Sequence, residues 1–322
     1  MTDRQRELLK GDMQQVIGRL EREETSVEPY QQDYRRLLNN HGKMVRAALV
    51  LIFGRAQESD DARPFGPDSL LVTGAAAIEM LHLATLVHDD VLDGADVRRG
   101  QPTVHRIRGN KAAIYLGDLI LSRYMEIMAS IAPSTAFIRE QAGTVCEIVG
   151  GELLQESGRG DLTVTRAYYE RAIQGKTAAL FRLACLTGVK LSASEPEEGL
   201  LAAASAFGEH LGMAFQIIDD IGDFDVVHDS GKPKLEDIQD RIYTLPVILG
   251  LESDPTFKQV LEADDPLKVL DYLQAHPDLI EGAKAQARSQ VSQARQALSC
   301  APMASPVAGL LDRLAAKLAA QA

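Results

Sequence analysis

Apolar residues recur through most of the chain at intervals of three and four positions, the spacing that places side chains on one face of an α-helix. Strand-like alternation of apolar and polar residues is nearly absent, and alanine and leucine, which favour helices, are abundant. The predicted helices cover residues 4–23, 43–56, 67–93, 111–131, 134–156, 165–187, 195–224, 243–252, 267–274, 278–298 and 306–320. The pattern therefore predicts an all-α protein.

Short turn-forming segments separate these helices, for example RPFGPDS at 63–69 and ESGRGD at 156–161. A chain of 322 residues would by its length alone contain about two domains. No linker rich in proline, glycine and serine divides the chain, however, and its composition does not shift along its length. We therefore predict a single domain over residues 1–322.

One acidic spacing occurs twice, as DDVLD and DDIGD, inside long apolar helices. Its carboxylates are Asp89, Asp90, Asp93, Asp219, Asp220 and Asp223. At 3.6 residues per turn, the first and last carboxylate of each motif lie on one helix face. Mg²⁺ prefers oxygen ligands and is commonly shared between a few carboxylates and the phosphate oxygens of a substrate. Two such motifs facing each other would therefore hold a diphosphate through Mg²⁺ ions.

The alternative is that these aspartates are ordinary surface residues, as we interpret the doublets Asp60–Asp61 and Asp264–Asp265. Those doublets lack a third carboxylate and lie beside loop signals or proline. The two motifs instead lie in the apolar stretches MLHLATLVHDDVLD and LGMAFQIIDDIGDF. Because an unpaired carboxylate is costly to desolvate there, we expect cations close to both motifs.

Basic residues that could complete such a site follow or precede the first motif. Arg98 and Arg99 come shortly after it, and each guanidinium could donate two hydrogen bonds to phosphate oxygens. The alternative is that these cations only complement the dipole at the helix C-terminus. Lys43 and Arg46 lie three residues apart at a predicted helix start after Gly42, where backbone N–H groups would add to an anion site. Alone, that pair is also typical of a solvated face.

Two further groups are candidates for phosphate contacts. His82 lies seven residues before Asp89 and shares its helical stripe, whereas His88 lies off that stripe and is interpreted as structural. Lys176 and Thr177 open an apolar helix in GKTAALF without the glycine spacing of a nucleotide P-loop. The loops 94–110 and 225–242 are polar and basic, and each follows an acidic motif. We predict that both act as lids.

Composition narrows the functional classes. The formal net charge of −12 argues against nucleic-acid binding, which needs clustered lysine and arginine. Cys146, Cys185 and Cys300 are widely spaced, so we predict neither disulfides nor a zinc site and expect a reducing, cytoplasmic location. The first residues lack the apolar core of a signal peptide, and no run of eighteen apolar residues occurs, so no integral membrane segment is predicted.

The sequence resembles the trans-isoprenyl diphosphate synthases, which elongate polyprenyl chains head to tail. The segments that carry the resemblance follow one another in the family's order: HLATLVHDDVLDGADVRRGQPTVH, GKTAALF, GMAFQIIDDIGDFD and TLP. The resemblance covers essentially the whole chain from GKMVR onward. It implies the isoprenoid synthase fold, a bundle of long helices around a deep central cavity with both aspartate motifs at its mouth. It also implies a homodimer, isopentenyl diphosphate and an allylic diphosphate as substrates, and Mg²⁺ as cofactor.

The resemblance also implies a role for each matching residue. The Mg²⁺ ligands would be Asp89, Asp90, Asp93, Asp219, Asp220 and Asp223. Contacts to the allylic diphosphate would come from Arg98, Lys176, Thr177, Gln216 and Lys232. Isopentenyl diphosphate would be bound by Lys43, Arg46, His82 and Arg99. Catalysis itself would rest on Asp89, Asp90, Asp93, Arg98, Lys176, Asp219 and Asp220.

The chain departs from the family pattern at three places. In the GKxxRP pattern, Met44 stands where arginine is common, and Ala47 replaces the proline. Before Thr244-Leu245-Pro246 the family commonly has Gly-Lys, whereas this chain has Arg241-Ile242, so a usual diphosphate-binding lysine is missing. Our hypothesis is that Arg241 or Lys234 replaces it.

Product length is predicted from the helix that carries the first motif. In the family, a bulky aromatic residue just before this motif stops chain growth early, but here Ala84 and Thr85 are small. Each helical turn deepens the cavity by about 5.4 Å, and the next blocking residues are Leu81 and Ile78. We therefore predict a product longer than geranylgeranyl diphosphate.

Three other functions fit parts of the pattern. A class I terpene cyclase ionises the same kind of substrate but generally lacks the second aspartate motif and the cations for isopentenyl diphosphate. A subunit of a heteromeric prenyl diphosphate synthase would tend to lose its aspartates, which are all present here, although the missing lysine favours this reading. A structural helical metal-binding protein is the third alternative.

Overall fold

The computed structural model describes residues 3–58, 63–193, 195–225, 235–299 and 301–322. Within these ranges the protein is helical apart from one small hairpin, which confirms the all-α prediction. The helices are α1 Asp3–Glu21, α2 Gln31–Asn39, α3 Val45–Gly54, α4 Leu70–Leu92, α5 Val104–Arg108, α6 Asn110–Ser130, α7 Thr135–Ser157, α8 Arg166–Ile173, α9 Ala179–Ser192, α10 Glu198–Gly222, α11 Glu236–Gln239, α12 Leu245–Ser253, α13 Phe257–Glu262, α14 Pro266–Ala275, α15 Pro277–Leu298 and α16 Ser305–Ala319.

Three shorter elements complete the description. A 3₁₀ turn covers Glu28–Tyr30, and a π-helix covers Gln174–Ala178 between α8 and α9. The hairpin consists of β1 Val97–Arg98 and β2 Gln101–Pro102, which pair antiparallel with Arg98 opposite Gln101.

The chain divides into two compact units, each assembled from three stretches of sequence. Unit 1 comprises Met1–Gly143, Leu183–Ala204 and Ala301–Leu310. Unit 2 comprises Thr144–Arg182, Ser205–Cys300 and Leu311–Ala322. The first acidic motif belongs to unit 1 and the second to unit 2, and the single-domain assignment stays a prediction.

Helix α4 forms the centre of unit 1. It packs against α1, α3 and α6, and Ser69 caps its start by accepting a hydrogen bond from the Leu71 amide. Among the described residues it alone has the length and apolar composition of a membrane-spanning helix, with a mean hydropathy of 1.8 over its most apolar window. In the structure 61% of that window is buried, which matches a core helix.

A buried ion pair ties α1 to the end of α3 in unit 1. Asp12 is fully buried and accepts hydrogen bonds from Arg55 Nε at 2.8 Å and from Nη2 at 2.9 Å. The Phe65 amide also donates to Asp12, at 2.8 Å, and the Arg55 guanidinium lies over the Phe65 ring. The charge of Asp12 is therefore satisfied, as a buried carboxylate requires.

Unit 2 has its own apolar core, in which α12 packs against α8 and α15. Val247, Ile248, Ala283 and Ala287 are all fully buried there. Beside them the Phe257 and Tyr272 rings stack with centroids 4.1 Å apart.

Sequence periodicity placed the long helices well and the short ones poorly. Helices α2, α5, α11 and α13 were not predicted, because a pattern of four to nine residues gives little periodic signal. The predicted helix 165–187 is interrupted by the π-helix, and the helix predicted from residue 43 begins only at Val45. The loop 94–110, which was predicted to act as a lid, contains the hairpin and α5. Much of the second predicted lid, 225–242, lies outside the described residues.

Candidate functional site

The first acidic motif lies at the end of α4, where its three carboxylates differ in exposure. Asp89 is half-buried, and the exposed Asp93 forms the helix C-cap, its amide donating to the Asp89 carbonyl at 2.8 Å. Asp90 is only 5% exposed and accepts a hydrogen bond from Arg98 Nε. Burial raises the pKa of Asp90, and Arg98 opposes this effect. Asp90 is therefore held by a cation within unit 1.

The β1–β2 hairpin returns two arginines to α4. Its turn contains Arg99 and Gly100, both with positive φ, and Arg99 Nη1 donates to the Asn40 carbonyl. Gly42 leaves room for this guanidinium, since an added Cβ would lie 2.5 Å from Arg99 Nη2. The hairpin thus fixes Arg98 against Asp90 and Arg99 against the segment before α3.

Two adjoining pockets lie in unit 1. The walls of the first include Asn40, Gly42, Glu79, His82 and Arg99. The second shares Arg99 and adds Arg36, Asp90 and Arg98. Leucine and methionine side chains form much of the remaining wall, and the arginines in the two linings slightly outnumber the carboxylates.

The cations near these pockets perturb one another. Burial lowers the pKa of Arg46 to about 10, Glu79 opposes this, and Arg99 lowers it further. Burial and then Arg98 lower the pKa of Arg99. For His82, burial and the three arginines hold the pKa well below its usual range, so the ring is neutral at pH 7. Positive charge gathered in this way favours an anionic ligand.

The start of α3 differs from the sequence expectation. Lys43 is exposed and precedes the helix, so Lys43 and Arg46 do not lie on one helical face. The expectation that the first amides of this helix would serve an anion site is wrong for Ala47, whose N–H donates to Glu79 Oε1 at 2.9 Å. Glu79 is a residue that the sequence analysis did not single out.

The residues expected to limit product length are on α4. Ala84 and Leu81 are each 1% exposed and Ile78 is fully buried. Thr85 is half-buried and donates from Oγ1 to the His82 carbonyl at 2.8 Å. His88 contacts α6, with Nε2 3.3 Å from the Ile114 carbonyl oxygen, which agrees with a structural role.

The second acidic motif lies at the end of α10 in unit 2. Asp219 is exposed, Asp220 is 4% exposed and Asp223 is half-buried. Asp220 accepts hydrogen bonds from Tyr169 Oη and from Gln216 Nε2, both at 2.6 Å. Thr177 Oγ1 in turn donates to Gln216 Oε1 at 2.6 Å. Thr177, Gln216 and Asp220, which the sequence singled out separately, are therefore one hydrogen-bonded chain.

Lys176 and Thr177 are presented by the π-helix rather than by an α-helix. Single π-turns in proteins are often found at functional sites. Lys176 Nζ donates to Gln155 Oε1 of α7 at 2.7 Å. The backbones of α7 and the π-helix approach closely at two glycines, since a Cβ added to Gly151 would lie 2.2 Å from the Lys176 amide nitrogen. This contact helps to set the position of Lys176.

Asp223 hydrogen-bonds to the segment that begins at residue 235, where the described part of the chain resumes. Its carboxylate accepts the amide protons of Glu236 at 3.2 Å and of Asp237 at 3.3 Å, which caps α11. Burial raises the pKa of Asp237 to about 8, and the negative charges of Asp220 and Asp223 add to the shift while Lys176 opposes it. A crowd of carboxylates around one lysine favours an additional cation.

The donor set fits Mg²⁺ chemically. Both motifs offer carboxylate oxygens, and in unit 2 burial raises the pKa of Asp220, with Lys176 opposing, as expected where a cation would relieve desolvated negative charge. Among the described residues, no three His, Cys, Asp or Glu side chains converge on a common point. Mg²⁺ commonly takes only one or two carboxylates and completes its shell with water and substrate phosphates, so such convergence is not required.

Three basic candidates near the second motif can be placed only in part. Lys232 and Lys234 lie outside the described residues. The Arg241 side chain is exposed, with Nε 3.6 Å from Asp264 Oδ1, and it passes beside Gly160. Arg241 has φ +58°, a backbone conformation that favours glycine.

Sequence reasoning missed Glu79, Tyr169, Gln155 and Asp237. Glu79 had a usable signal, because it is a lone acid in the apolar run LLVTGAAAIEMLHLATLV. The burial argument applied to the aspartates applies equally to it. Tyr169 and Gln155 have no comparable signal, because their importance comes from contacts between separate helices.

Comparison with known proteins supports the residue pattern. The polyprenyl synthetase family model matches residues 27–268. The chain is 36% identical over 231 residues to heptaprenyl diphosphate synthase component 2 of Geobacillus stearothermophilus, covering 71% of this chain and 69% of that protein. It is 35% identical over 276 residues to nonaprenyl diphosphate synthase of Mycobacterium tuberculosis, and the match covers 83% of this chain and 79% of that protein. The crystal structure of a decaprenyl diphosphate synthase from Rhodobacter capsulatus superposes with a TM-score of 0.85 at 30% identity. The superposition covers 99% of this chain and 98% of that one.

Replacing Gly151 by alanine should destabilise unit 2 and displace Lys176, because the added methyl group would overlap the Lys176 backbone. We expect a loss of several kcal/mol in the free energy of unfolding, as for strong overpacking. Gly150 is the matched control, since a Cβ there meets nothing within 4 Å. Gly150→Ala should be neutral or stabilise by up to about 1 kcal/mol through helix propensity. Urea unfolding of both variants measures the difference, and equal stabilities would contradict the close contact.

Proposed function

The chain belongs to the polyprenyl synthetase family and is a prenyltransferase; from that membership we propose that it condenses isopentenyl diphosphate with an allylic diphosphate to give a trans-polyprenyl diphosphate. The observation that carries the proposal is the pair of pockets in unit 1, which Arg36, Arg98 and Arg99 line and which Asp90 of the first acidic motif borders. An aspartate motif and an adjacent cationic pocket are what a reaction between two diphosphates needs.

The pockets of unit 1 would hold isopentenyl diphosphate. Arg46, Arg99 and the neutral His82 are close enough to influence one another electrostatically, and His82 and Arg99 line the first pocket. Lys43 is adjacent to the pocket residue Gly42 and is free in solvent to reach a phosphate oxygen. A single arginine guanidinium can donate two parallel N–H bonds to phosphate oxygens, so the diphosphate would lie between these groups.

The allylic diphosphate would be bound through the aspartates. Asp89, Asp90 and Asp93 in unit 1, and Asp219, Asp220 and Asp223 in unit 2, would hold Mg²⁺. Arg98, Lys176, Thr177, Gln216 and Lys232 would contact phosphate oxygens. The support is that Arg98 already pairs with Asp90, and that Thr177 and Gln216 already form a hydrogen-bonded chain to Asp220. Action of both motifs on a single diphosphate stays a prediction.

The reaction breaks the allylic carbon–oxygen bond and forms a carbon–carbon bond to isopentenyl diphosphate. Bound Mg²⁺ would supply electrostatic stabilisation of the charge that develops on the leaving diphosphate. Arg98 and Lys176 would donate hydrogen bonds to the same oxygens. The pocket residues Arg46, His82 and Arg99 would hold the second substrate in reach, which replaces a bimolecular encounter by a fixed geometry. Loss of a proton, accepted by the departing diphosphate, completes the product.

We further propose a product longer than geranylgeranyl diphosphate. The support is the small size of Ala84 and Thr85 on α4, with no aromatic side chain among Ile78, Leu81, Ala84 and Thr85. The heptaprenyl, nonaprenyl and decaprenyl diphosphate synthases that the chain is similar to agree with a long product.

A heteromeric enzyme is the second candidate. The relative from Geobacillus stearothermophilus is named component 2 of its synthase, which favours the idea that this chain works with a second subunit. A terpene cyclase is disfavoured by the second aspartate motif and by the cations around the unit 1 pockets. Location in the cytoplasm stays a prediction.

A homodimer is supported by large apolar side chains that remain exposed. In unit 1, Ile114 and Tyr115 of α6 are 42% and 73% exposed. In unit 2, Val149 and Leu153 lie one turn apart on α7 and are 52% and 65% exposed. Large apolar side chains exposed in neighbouring pairs commonly mark an interface, and a second copy is the usual partner.

The function is tested with purified protein, Mg²⁺, isopentenyl diphosphate and allylic starters of several lengths. Products are dephosphorylated and separated by size. We expect elongation by this chain alone, ending beyond four isoprene units. Activity that appears only after a second protein is added would favour the heteromeric enzyme, and cyclised hydrocarbons would favour a terpene cyclase.

Replacing Ala84 by phenylalanine should shorten the product, because an aromatic side chain would block the cavity wall below the first motif. A series of Val, Leu and Phe at position 84 should give progressively shorter products. Overpacking can also destabilise by about 1–3 kcal/mol, so melting temperatures are measured alongside. A stability loss with an unchanged product distribution would contradict a role for this position in product length.

Replacing Leu153 by glutamate should dissociate the proposed homodimer, because a charge would be buried at its interface. Light scattering after size exclusion should then fall from twice the chain mass to 35.0 kDa. Leu267, which is 64% exposed on α14, is the matched control, and Leu267→Glu should leave the mass unchanged. A wild-type protein that is monomeric would rule the proposal out.

A further inference from the structure

Helix α3 begins without a cap of its own. Its N-cap residue is Met44, which has φ +48° and no side-chain oxygen to accept a hydrogen bond. The first amides of an α-helix have no partner inside the helix and must bond elsewhere. Because Arg46 lies in this first turn, the way these amides are satisfied decides where the Arg46 side chain begins.

Glu79 of α4 provides the missing acceptor. Its Oε1 lies 2.9 Å from the Ala47 nitrogen, and the Arg46 amide also hydrogen-bonds to its carboxylate. Burial raises the pKa of Glu79, while these two amides and the charges of Arg46 and Arg99 oppose the rise. The carboxylate is thus surrounded by donors and cations from two segments of unit 1, the start of α3 and the hairpin.

Ala47 is needed for this arrangement because its N–H is a donor. The pattern that the chain resembles has proline at the same place, and proline has no N–H to donate. A proline at position 47 could therefore not form this bond to Glu79. Glu79 therefore holds two consecutive amides of α3 here, which fixes the helix start from a second helix.

We propose that Glu79 is a positioning residue for the diphosphate of isopentenyl diphosphate: it holds the first turn of α3 so that Arg46 is kept beside His82 and Arg99. The inference rests on the proposed function of the unit 1 pockets. Glu79 itself lines the first pocket together with His82 and Arg99, so it is connected to all three groups. It would act through Arg46 and would not bind phosphate.

Simple electrostatics predicts the opposite effect of its removal. A carboxylate in the wall of an anion pocket repels the anion, so neutralising it should tighten diphosphate binding if charge alone mattered. If Glu79 positions Arg46, neutralising it should weaken binding instead. The direction of the change therefore separates the two accounts.

The experiment compares Glu79→Gln and Glu79→Ala with the wild type in steady-state elongation. Glutamine keeps one acceptor oxygen but loses the charge and the second acceptor, and alanine loses both. We expect the KM for isopentenyl diphosphate to rise about tenfold in Glu79→Gln and further in Glu79→Ala. The KM for the allylic diphosphate should stay within twofold. A fall in the KM for isopentenyl diphosphate, or an equal rise in the KM values of both substrates, would overturn the proposal.

Glu23→Gln is the matched control. Glu23 is 3% exposed and is bound by Arg19 and Arg123 in unit 1, but it lines neither pocket. This variant carries the same cost of neutralising a buried, arginine-bound carboxylate. It should lower the melting temperature without changing either KM. A shift in the isopentenyl diphosphate KM equal to that of Glu79→Gln would reduce the role of Glu79 to general stability.

A binding measurement keeps the inference separate from the proposed function. Inorganic diphosphate is titrated calorimetrically into the wild type, Glu79→Gln and Glu23→Gln without Mg²⁺, so that binding depends on the protein's cations. At least fivefold weaker binding in Glu79→Gln alone would support the positioning role even if the wild type elongated no substrate. Equal binding by all three proteins would overturn it even if elongation were observed.

Discussion

A carboxylate buried in an apolar helix wall must be hydrogen-bonded or paired, and the candidate site is arranged around this constraint. Asp90 is held by Arg98 from the hairpin, and Asp220 is held in part by Tyr169 from α8. Glu79 is held by amides of α3. In each case the partner comes from an element other than the helix that carries the acid. The acidic residues therefore fix neighbouring loops and helix starts in place, in addition to offering oxygen ligands.

The same device occurs at the start of two short helices in different units. Helix α3 follows Met44 and helix α11 follows Leu235, and both residues have positive φ and no capping side chain. In each case a carboxylate remote in sequence, Glu79 or Asp223, binds the first amides. A buried apolar residue in the left-handed region costs about 1–3 kcal/mol and persists only where the surroundings hold it. The carboxylate supplies that hold, so each helix start is coupled to an acidic residue of the candidate site.

The sequence was sufficient for features that depend on local pattern. The ends of α4 and α10 lie within three residues of their predicted positions, and both acidic motifs lie at helix ends. The π-helix could not be predicted, because it accompanies a backbone contact between Gly151 and the 174–178 segment, and the sequence of either part alone does not encode that contact. The role of Glu79 was missed for a related reason. Its hydrogen-bond partners are backbone amides, and almost every residue has such an amide, so the sequence does not show which ones Glu79 binds.

The electrostatics of unit 1 bear on how a diphosphate would be recognised. The whole chain carries a net charge of −12, so at long range it repels anions. Salt screens such long-range effects beyond about 8–10 Å, and binding must then rest on groups in direct reach. Arg46, Arg98 and Arg99 are close enough to lower the pKa of His82, so the histidine is a neutral hydrogen-bonding partner among cations. Arg98 is paired with Asp90, and Glu79 lies near Arg46 and Arg99, so these carboxylates offset part of the positive charge. In the proposed function, recognition of a diphosphate would therefore depend on the positions of the individual arginines more than on the overall charge.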